Sequence, residues 1–211
     1  MLPPREAMGY HEHSGAARGP LSLNESFLTE AQLQQLGFAK FGRNVLVHPL
    51  AVLVDCAGIC LGDHVRIDPF CVLSAKGGVE IGSYTHIGSN CTLSGAGRLV
   101  LEDFSCLSHG VKLFSSRDDF SGETMTNSSV PAELRNVLHG DLRIGRHVVV
   151  GAGTVIMPGV TIGEGCAVGA LSFVEGTLEP WGIYAGIPAR RIRERKKDLL
   201  ALEAALPDPG L

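Results

Sequence analysis

Three side chains near the middle of the sequence have the chemistry to take up a proton. His109 lies in LSHGVK, residues 107–112, where the glycine that follows leaves its imidazole open on one side. Imidazole titrates near neutral pH, so we predict that His109 is a general base. Asp118 and His139 lie in a polar segment that follows, and they are further candidates for deprotonating or orienting a nucleophile. Nearby polar side chains are predicted to hold the molecule acted on: Ser108, Arg117, Asp119 and Asn127.

The polar segment interrupts a very regular chain. Its first part, residues 114–130, reads FSSRDDFSGETMTNSSV, and the whole interruption covers residues 114–141. A connection of this length without regular structure of its own is more often functional than incidental. We therefore predict that it walls the pocket for the molecule on which His109 acts.

Short repeats are the elements that must position these residues. Five consecutive hexads run from Ile144 to Val174 with an aliphatic residue in first place, and the equivalent residues Leu61, Ile81 and Leu101 lie twenty positions apart. One hexad cannot bury an apolar face alone, whereas three make one turn on which the next turn stacks. The sequence therefore predicts an all-β solenoid, a parallel β-helix of triangular cross-section. We attribute the glycine after the first aliphatic residue to the φ freedom that a tight corner needs.

The fifth place of each hexad is small or β-branched, which suits a side chain that points into a narrow interior. Cys71, Cys91 and Cys166 occupy this place and are predicted to be compact core residues. The chain is large enough to fold without a disulfide framework, and it contains no C-x-x-C, so we expect no zinc site. The formal net charge of -4 argues against general affinity for nucleic acid.

The sequence also predicts the organisation of the chain. Thr29 and Gln32 have capping-box spacing at the start of a short helix. The expected segments are a disordered extension (1–26), an N-terminal helix and linker (27–42), the β-helix domain (43–188) with the inserted loop 114–141, a C-terminal helix (189–206) and a tail (207–211). The first segment lacks the apolar run of a secretory signal and no run is long enough to span a membrane, so we expect a cytoplasmic protein.

The hexads resemble those of the hexapeptide-repeat acyltransferases, and the match covers about residues 43–193. Residues 144–193 resemble in particular the acetyl-CoA end of sugar O-acetyltransferases such as the galactoside and maltose enzymes. The resemblance implies a left-handed parallel β-helix with a short N-terminal helix, a protruding loop and a C-terminal helix. It also implies a homotrimer with active sites between subunits, acetyl-CoA as co-substrate and no metal.

The resemblance extends to the residues that would hold acetyl-CoA. In those relatives small residues of two stacked turns bind the pantetheine amides, and a segment like AGIPARRIR closes over the cofactor, where guanidinium groups engage phosphate. The implied cofactor residues here are Gly151, Ala152, Gly169, Ala170, Ile187, Pro188, Arg190 and Arg193. One departure is that Glu175 and Gly176 stand where those relatives carry a Thr-Lys pair, so part of their charge recognition is missing.

The family resemblance leaves the identity of the base open. Amino-sugar N-acetyltransferases of this superfamily carry their proposed base in the third place of a hexad, which is the place of His109. In the galactoside-type relatives the histidine falls at the position of Asp118, so that family's base is in doubt here. His64, His86 and His147 are expected to point outward in surface or subunit-contact roles.

These observations predict an acetyl-CoA-dependent acetyltransferase. The resemblance favours transfer to the amino or hydroxyl group of a sugar, above all a nucleotide-linked 4-amino-4,6-dideoxy sugar for a bacterial surface polysaccharide such as lipopolysaccharide. Three alternatives stay open: an O-acetyltransferase of a free sugar or glycoside, a non-catalytic solenoid, and a γ-type carbonic anhydrase. The last needs three closely placed histidines, which the sequence does not offer.

Overall fold

The computed structural model describes residues 27–206, which form a parallel β-solenoid of about seven turns. The chain passes through three sheets in the order B, C, A in every turn. Sheet B contains β1 (Leu46–Val47), β4 (Arg66–Ile67), β7 (His86–Ile87), β10 (Cys106–Leu107), β15 (Val149–Val150), β18 (Ala167–Val168), β20 (Gly182–Ala185) and β21 (Arg190–Glu194). Sheet C contains β2 (Val52–Val54), β5 (Val72–Ser74), β8 (Thr92–Ser94), β11 (Lys112–Phe114), β16 (Val155–Ile156) and β19 (Phe173–Val174). Sheet A contains β3 (Ile59–Leu61), β6 (Val79–Ile81), β9 (Leu99–Leu101), β14 (Leu142–Ile144) and β17 (Thr161–Ile162). The predicted parallel β-helix is confirmed.

The hexads place their first and fifth residues inside the solenoid. First-place aliphatics such as Ile87 and Leu107 are fully buried, and so are Cys71, Cys91 and Cys166 in fifth place. All of the six cysteines are unpaired. The core is therefore a column of aliphatic and small side chains, as predicted, and the chemistry has to take place on the outer faces and at the corners.

The glycine after the first aliphatic residue has a different purpose from the predicted one. Gly82 and Gly151 do not have a left-handed backbone, but a Cβ on Gly151 would lie 2.4 Å from the backbone nitrogen of Ala170 in the next turn. Left-handed φ values occur two places further on, for example at His64 and Gly153. The attribution to φ freedom was wrong, because these glycines allow successive turns to approach closely.

A ladder of four stacked rings lines the corner between sheets A and B. His64, Tyr84, Phe104 and His147 stack with centroid separations of 4.6, 4.9 and 5.1 Å. His147 is only 8% exposed, and its Nε2 lies 2.7 Å from a carboxylate oxygen of Glu203. The predicted surface role is wrong for His147, because the rings below it and the C-terminal segment above it cover the imidazole.

The inserted segment has regular structure of its own, contrary to the prediction. It leaves the corner between sheets C and A as an antiparallel hairpin of β12 (Ser116–Asp118) and β13 (Val137–His139), with a 3₁₀ turn at Ala132–Leu134. Two hydrogen bonds tie its base to the solenoid, from Ala96 N to Ser116 Oγ (2.7 Å) and from Ser115 N to Ser94 O (2.9 Å). The hairpin is therefore a projection anchored at one corner.

The two ends differ in how well they were predicted. Helix α1 (Glu30–Gln35) begins at a capping box of Thr29 with Gln32, as the spacing indicates. The C-terminal helix over 189–206 is wrong for its first half, where β21 pairs antiparallel with β20 and closes the edge of sheet B. Helix α2 covers only Leu199–Glu203. The unpaired backbone of β20 supplies the hydrogen bonds that outweigh the helical spacing of the leucines.

Candidate active site

Three of the predicted site residues stack directly on one another at the corner between sheets B and C. Gly153 N donates to His109 O (2.9 Å), and Leu171 N donates to Ala152 O (2.8 Å). His109, Ala152 and Ala170 therefore occupy equivalent places in successive turns, roughly 4.8 Å apart per turn. The candidate base stands one turn from the first residue of the candidate cofactor surface.

The outer face of sheet B next to this corner is a flat floor. Ser108, Gly151 and Gly169 form one column, because Ser108 N donates to Val150 O (2.9 Å) and Gly151 N to Val168 O (2.7 Å). Ala185 continues the column, since a Cβ on Gly169 would lie 2.9 Å from its own Cβ. Such a surface of backbone and small side chains can accept an extended ligand with amide groups.

A β-bulge brings two arginines to the upper end of this floor. The ladder of β20 and β21 pairs Ala185 with Arg190 and Ile183 with Arg193, and it shifts register between Ile183 and Tyr184. Paired residues of a ladder share a face, so the shift places both arginines on the outer face together with Ala185. Both guanidinium groups are exposed, and this arrangement suits the binding of phosphate groups.

The segment predicted to close over the cofactor passes from the end of β20 to sheet C and back, since Phe173 N donates to Gly186 O (2.9 Å) and Ala189 N to Phe173 O (2.8 Å). Ile187 is 78% exposed. Pro188 and Arg190 line a small cavity of about 120 Å³ together with Glu175 and Thr177. The sequence departure at Glu175 thus places a carboxylate beside one of the two arginines, which lowers the positive charge of this end.

The hydrogen bonding of His109 fixes the position of its ring proton. Ser89 N donates to His109 Nδ1 at 3.1 Å, and the ring is exposed. A nitrogen that accepts a hydrogen bond carries no proton, so neutral His109 bears its proton on Nε2. In this tautomer the exposed nitrogen is a hydrogen-bond donor, which fits stabilisation of a developing oxyanion better than proton abstraction.

The hairpin brings together the other two candidate bases. In its ladder Ser116 pairs with His139 and Asp118 with Val137, so the side chains of Asp118 and His139 share one face. Ser116 Oγ lies 2.7 Å from His139 Nδ1, and Asp118 accepts a long hydrogen bond of 3.4 Å from Asn127 N. One face of the hairpin therefore presents a carboxylate and an imidazole at diagonal positions of the ladder.

Two of the predicted substrate-binding residues are occupied in building the loop. Asp119 accepts hydrogen bonds from Ser121 N (2.9 Å) and Ser121 Oγ (3.0 Å), and these bonds lower the pKa of its carboxyl. Asn127 has a left-handed backbone, and its side-chain oxygen accepts from Ser129 N at 2.8 Å. Arg117 is exposed on the hairpin face opposite Asp118. The binding roles of these three residues remain predictions.

Within one chain the candidate catalytic residues fall into two groups. His109 lies at the corner between sheets B and C, whereas the hairpin with Asp118 leaves from the corner between sheets C and A. Strand β11 separates the two corners, and its three residues span about 10 Å. The structure of one chain therefore does not bring the two groups to a common point.

Sequence reasoning missed a further polar cluster on the same outer face of sheet B. Asp68 is buried there and pairs with Arg66 and His86. The only signal in the sequence was the Asp that replaces Gly in second place of one hexad. Among residues 27–206, no group of His, Cys, Asp or Glu side chains is arranged to hold a metal ion, and no helix is long and apolar enough to cross a membrane.

The sequence of this chain is similar to a known family and to several characterised acyltransferases. Residues 141–176 match the family described as bacterial transferase hexapeptide (six repeats). The chain is 41% identical over 180 residues to a dTDP-4-amino-4,6-dideoxy-D-glucose acyltransferase of Escherichia coli, covering 85% of this chain and 94% of that protein. It is 39% identical over 74 residues to the galactoside O-acetyltransferase of Escherichia coli K12, covering 34% of this chain and 36% of that enzyme.

A solved structure also resembles the whole solenoid. AntD, an N-acyltransferase from Bacillus cereus in complex with dTDP and 3-hydroxybutyryl-CoA, superposes with a TM-score of 0.82 at 39% identity. The superposition covers 85% of this chain and 95% of AntD. The similarity thus extends over most of both chains.

Proposed function

Because the chain belongs to the hexapeptide-repeat acyltransferases, we propose that it transfers an acyl group from acyl-CoA to the amino group of a dTDP-linked 4-amino-4,6-dideoxy sugar. The relatives support both substrates, since the E. coli relative is named for this sugar nucleotide and AntD was solved with dTDP and an acyl-CoA. Acetyl is the acyl group that the sequence resemblance favours.

One observation carries this proposal, namely the continuous outer surface that runs along sheet B. It begins at Ser108 and His109 and continues over the floor of Gly151 and Gly169. It ends at the two arginines of β21, Arg190 and Arg193. An acyl-CoA laid along it would place phosphates on Arg190 and Arg193, its amide-bearing arm on the floor and its thioester beside His109.

The reaction needs a hydrogen-bond donor for the carbonyl oxygen of the thioester and a group that accepts the proton of the attacking amine. The amine nitrogen attacks the thioester carbon, the C–S bond breaks, and an amide and the thiol of CoA are formed. In this arrangement His109 donates from Nε2 to the carbonyl oxygen as negative charge develops there. Asp118 accepts the proton that the amine loses, and this proton is passed on to the departing sulfur, which leaves as the thiol of CoA. His139 on the same face of the hairpin orients the acceptor or shares the proton.

These roles require residues of two subunits, and we therefore include a homotrimer in the proposal. Ion pairs of Arg98 with Glu80 and Arg143 with Glu102 cover the outer face of sheet A, which suits contact with solvent. The outer faces of sheets B and C instead carry aliphatic and aromatic side chains such as Ile183 and Phe173. Packing these faces against neighbours would bring the hairpin of one subunit to His109 of the next.

The biological setting follows from the acceptor class. The product would be destined for a bacterial surface polysaccharide such as lipopolysaccharide, and the reaction would take place in the cytoplasm. We include both in the proposal.

The substrate proposal is tested by thiol release from acetyl-CoA or 3-hydroxybutyryl-CoA in the presence of different acceptors. We expect release with dTDP-4-amino-4,6-dideoxyglucose and none with the matching 4-hydroxy sugar nucleotide, because the hydroxyl is a much weaker nucleophile. Release with a free glycoside and not with the amino sugar nucleotide would overturn the proposed acceptor.

The shared site is tested by mixing two inactive variants. His109→Ala and Asp118→Ala chains are unfolded and refolded together, and activity is compared with that of each variant alone. If each site takes His109 from one subunit and Asp118 from its neighbour, random mixed trimers regain about a quarter of the sites. No recovery in mixtures of verified trimers would show that both residues act within one subunit.

A further inference from the structure

A buried carboxylate lies on the outer face of sheet B on the N-terminal side of the proposed thioester site. The Asp68 side chain is 7% exposed, and it accepts hydrogen bonds from Arg66 Nε at 2.7 Å and His86 Nε2 at 2.9 Å. The imidazole of His86 is 42% exposed. The buried acid thus stands behind a histidine whose ring reaches the surface.

The charge of Asp68 determines which nitrogen of His86 is free. Burial opposes ionisation of Asp68, but the hydrogen bonds from His86 and Arg66 outweigh it and hold the pKa of the carboxyl below its usual range. An ionised carboxylate can only accept hydrogen bonds, so neutral His86 carries its proton on Nε2. Its Nδ1 then bears a lone pair, and this nitrogen has no hydrogen-bond partner within residues 27–206. The two histidines therefore expose opposite hydrogen-bonding groups, a donor at Nε2 of His109 and an acceptor at Nδ1 of His86.

The position of the pair connects it to the proposed active site. Asp68, Gly88, Ser108 and Gly151 form one column, because Asp68 N donates to Ile87 O (2.9 Å) and Gly88 N to Leu107 O (2.8 Å). His86 lies one turn from the turn of His109, at a spacing of about 4.8 Å. Between Asp68 and Ser108 the column holds only the glycine, so no side chain of this column separates the exposed imidazole from the reacting end.

We propose that His86 is a binding residue for the acyl acceptor, accepting at Nδ1 a hydrogen bond from an amine or hydroxyl group of the sugar. Asp68 is a positioning residue, because it fixes the tautomer and the orientation of the imidazole. This inference rests on the proposed function and adds to it the place of the acceptor, on the side of His109 opposite the cofactor floor.

Paired variants of His86 separate the two ring nitrogens. In His86→Gln the side-chain amide reaches the place of Nε2 and retains the bond to Asp68, but the acceptor at Nδ1 is lost. In His86→Asn the amide oxygen lies at the place of Nδ1, and the bond to Asp68 is lost. We expect His86→Gln to lower kcat/KM for the sugar nucleotide about tenfold, the value of one hydrogen bond to a polar ligand group, with KM for acyl-CoA unchanged. His86→Asn should recover part of that loss.

Asp68→Asn tests the positioning role. An amide in place of the carboxylate can donate to Nε2, which moves the ring proton to Nδ1 and turns the acceptor into a donor. The ¹⁵N chemical shifts of labelled protein should show a protonated Nε2 in the wild type and a protonated Nδ1 in Asp68→Asn. If Asp68→Asn does not fold, the test rests on the wild-type spectrum and on the variants His86→Gln and His86→Asn, whose substituted side chain is at the surface.

The outcomes distinguish this inference from the proposed function. Wild-type activity together with an unchanged kcat/KM in His86→Gln overturns the inference and leaves the proposed function intact. A wild-type ring protonated at Nδ1 overturns it whether or not a substrate is known. A wild type that is inert toward every amino sugar nucleotide overturns the proposed function, and the inference with it.

Discussion

Replacement of His109 tests the chemistry that its tautomer dictates. Because Ser89 N donates to Nδ1, the active group should be the Nε2–H, and glutamine can place an amide N–H near the same point. We expect His109→Gln to keep most of the activity and His109→Ala to lose it. A general base would give the opposite pattern, since an amide cannot take up a proton and both variants would fail.

The size of the loss in His109→Ala follows from its surroundings. Removing one donor from an enclosed oxyanion site lowers kcat by about 10²–10³. His109 is exposed in the single chain, where water can compete, so we expect a loss of about 10- to 100-fold, or about 1.4–2.7 kcal/mol. The loss of the Ser89 contact at the surface should add little.

The assay is thiol release at saturating acyl-CoA, together with acyl-CoA binding by calorimetry. Binding should be retained in both variants, because the floor and the arginines that would hold the cofactor are untouched. Equal loss of turnover in His109→Gln and His109→Ala would refute the donor role and restore the general base. An unchanged rate in His109→Ala would exclude both roles.

Three further predictions concern the cofactor end and the stability of the coil. Arg193→Ala should raise KM for acyl-CoA about tenfold by removing one charge-assisted phosphate contact, whereas Arg191→Ala, on the opposite face, should not; equal effects would exclude a specific contact. Gly151→Ala should lower the free energy of unfolding by about 1–3 kcal/mol, because its Cβ would meet the backbone of the next turn at 2.4 Å, while Gly176→Ala, with nothing within 4 Å, is the control in the same urea titration. Burial lowers the pKa of His147 below 6.5, so the unfolded chain takes up this proton first and the stability falls as the pH drops below about 6.5; a His147→Phe variant that keeps the full wild-type slope would contradict this.

The repeat made the solenoid predictable, since six-residue periodicity leaves few other ways to bury its aliphatic residues. The stacking of Ala152 on Ala170 was predictable for the same reason, because equal places in successive turns lie one above the other. Features that do not follow the six-residue repeat were predicted less well. The strand at Arg190–Glu194 depends on the open edge of β20, which is a tertiary feature that helical spacing cannot reveal.

The candidate site was likewise predictable only where it follows the repeat, and not where it depends on contacts between turns. The sequence identified His109 by its place in a hexad, but the proton on its ring depends on Ser89, which lies twenty residues away and becomes a neighbour only through coiling. His86 was predicted to point outward in a surface or subunit-contact role, and its side chain is 42% exposed. The role that we propose for it depends on Asp68 in the preceding turn, where a carboxylate replaces the small residue that later turns carry in the same column.

The regular spacing of sheet B also fixes the distance between the two ends of the proposed cofactor surface. Strands β10 and β21 are four ladder steps apart, or about 19 Å, and each step is fixed by backbone hydrogen bonds. A donor that engages the two arginines at one end can deliver its acyl carbon to His109 only if its arm has that length when extended. Under the proposed function, a shorter thioester would reach the arginines or His109 but not both, so the spacing of sheet B would restrict which donors can react.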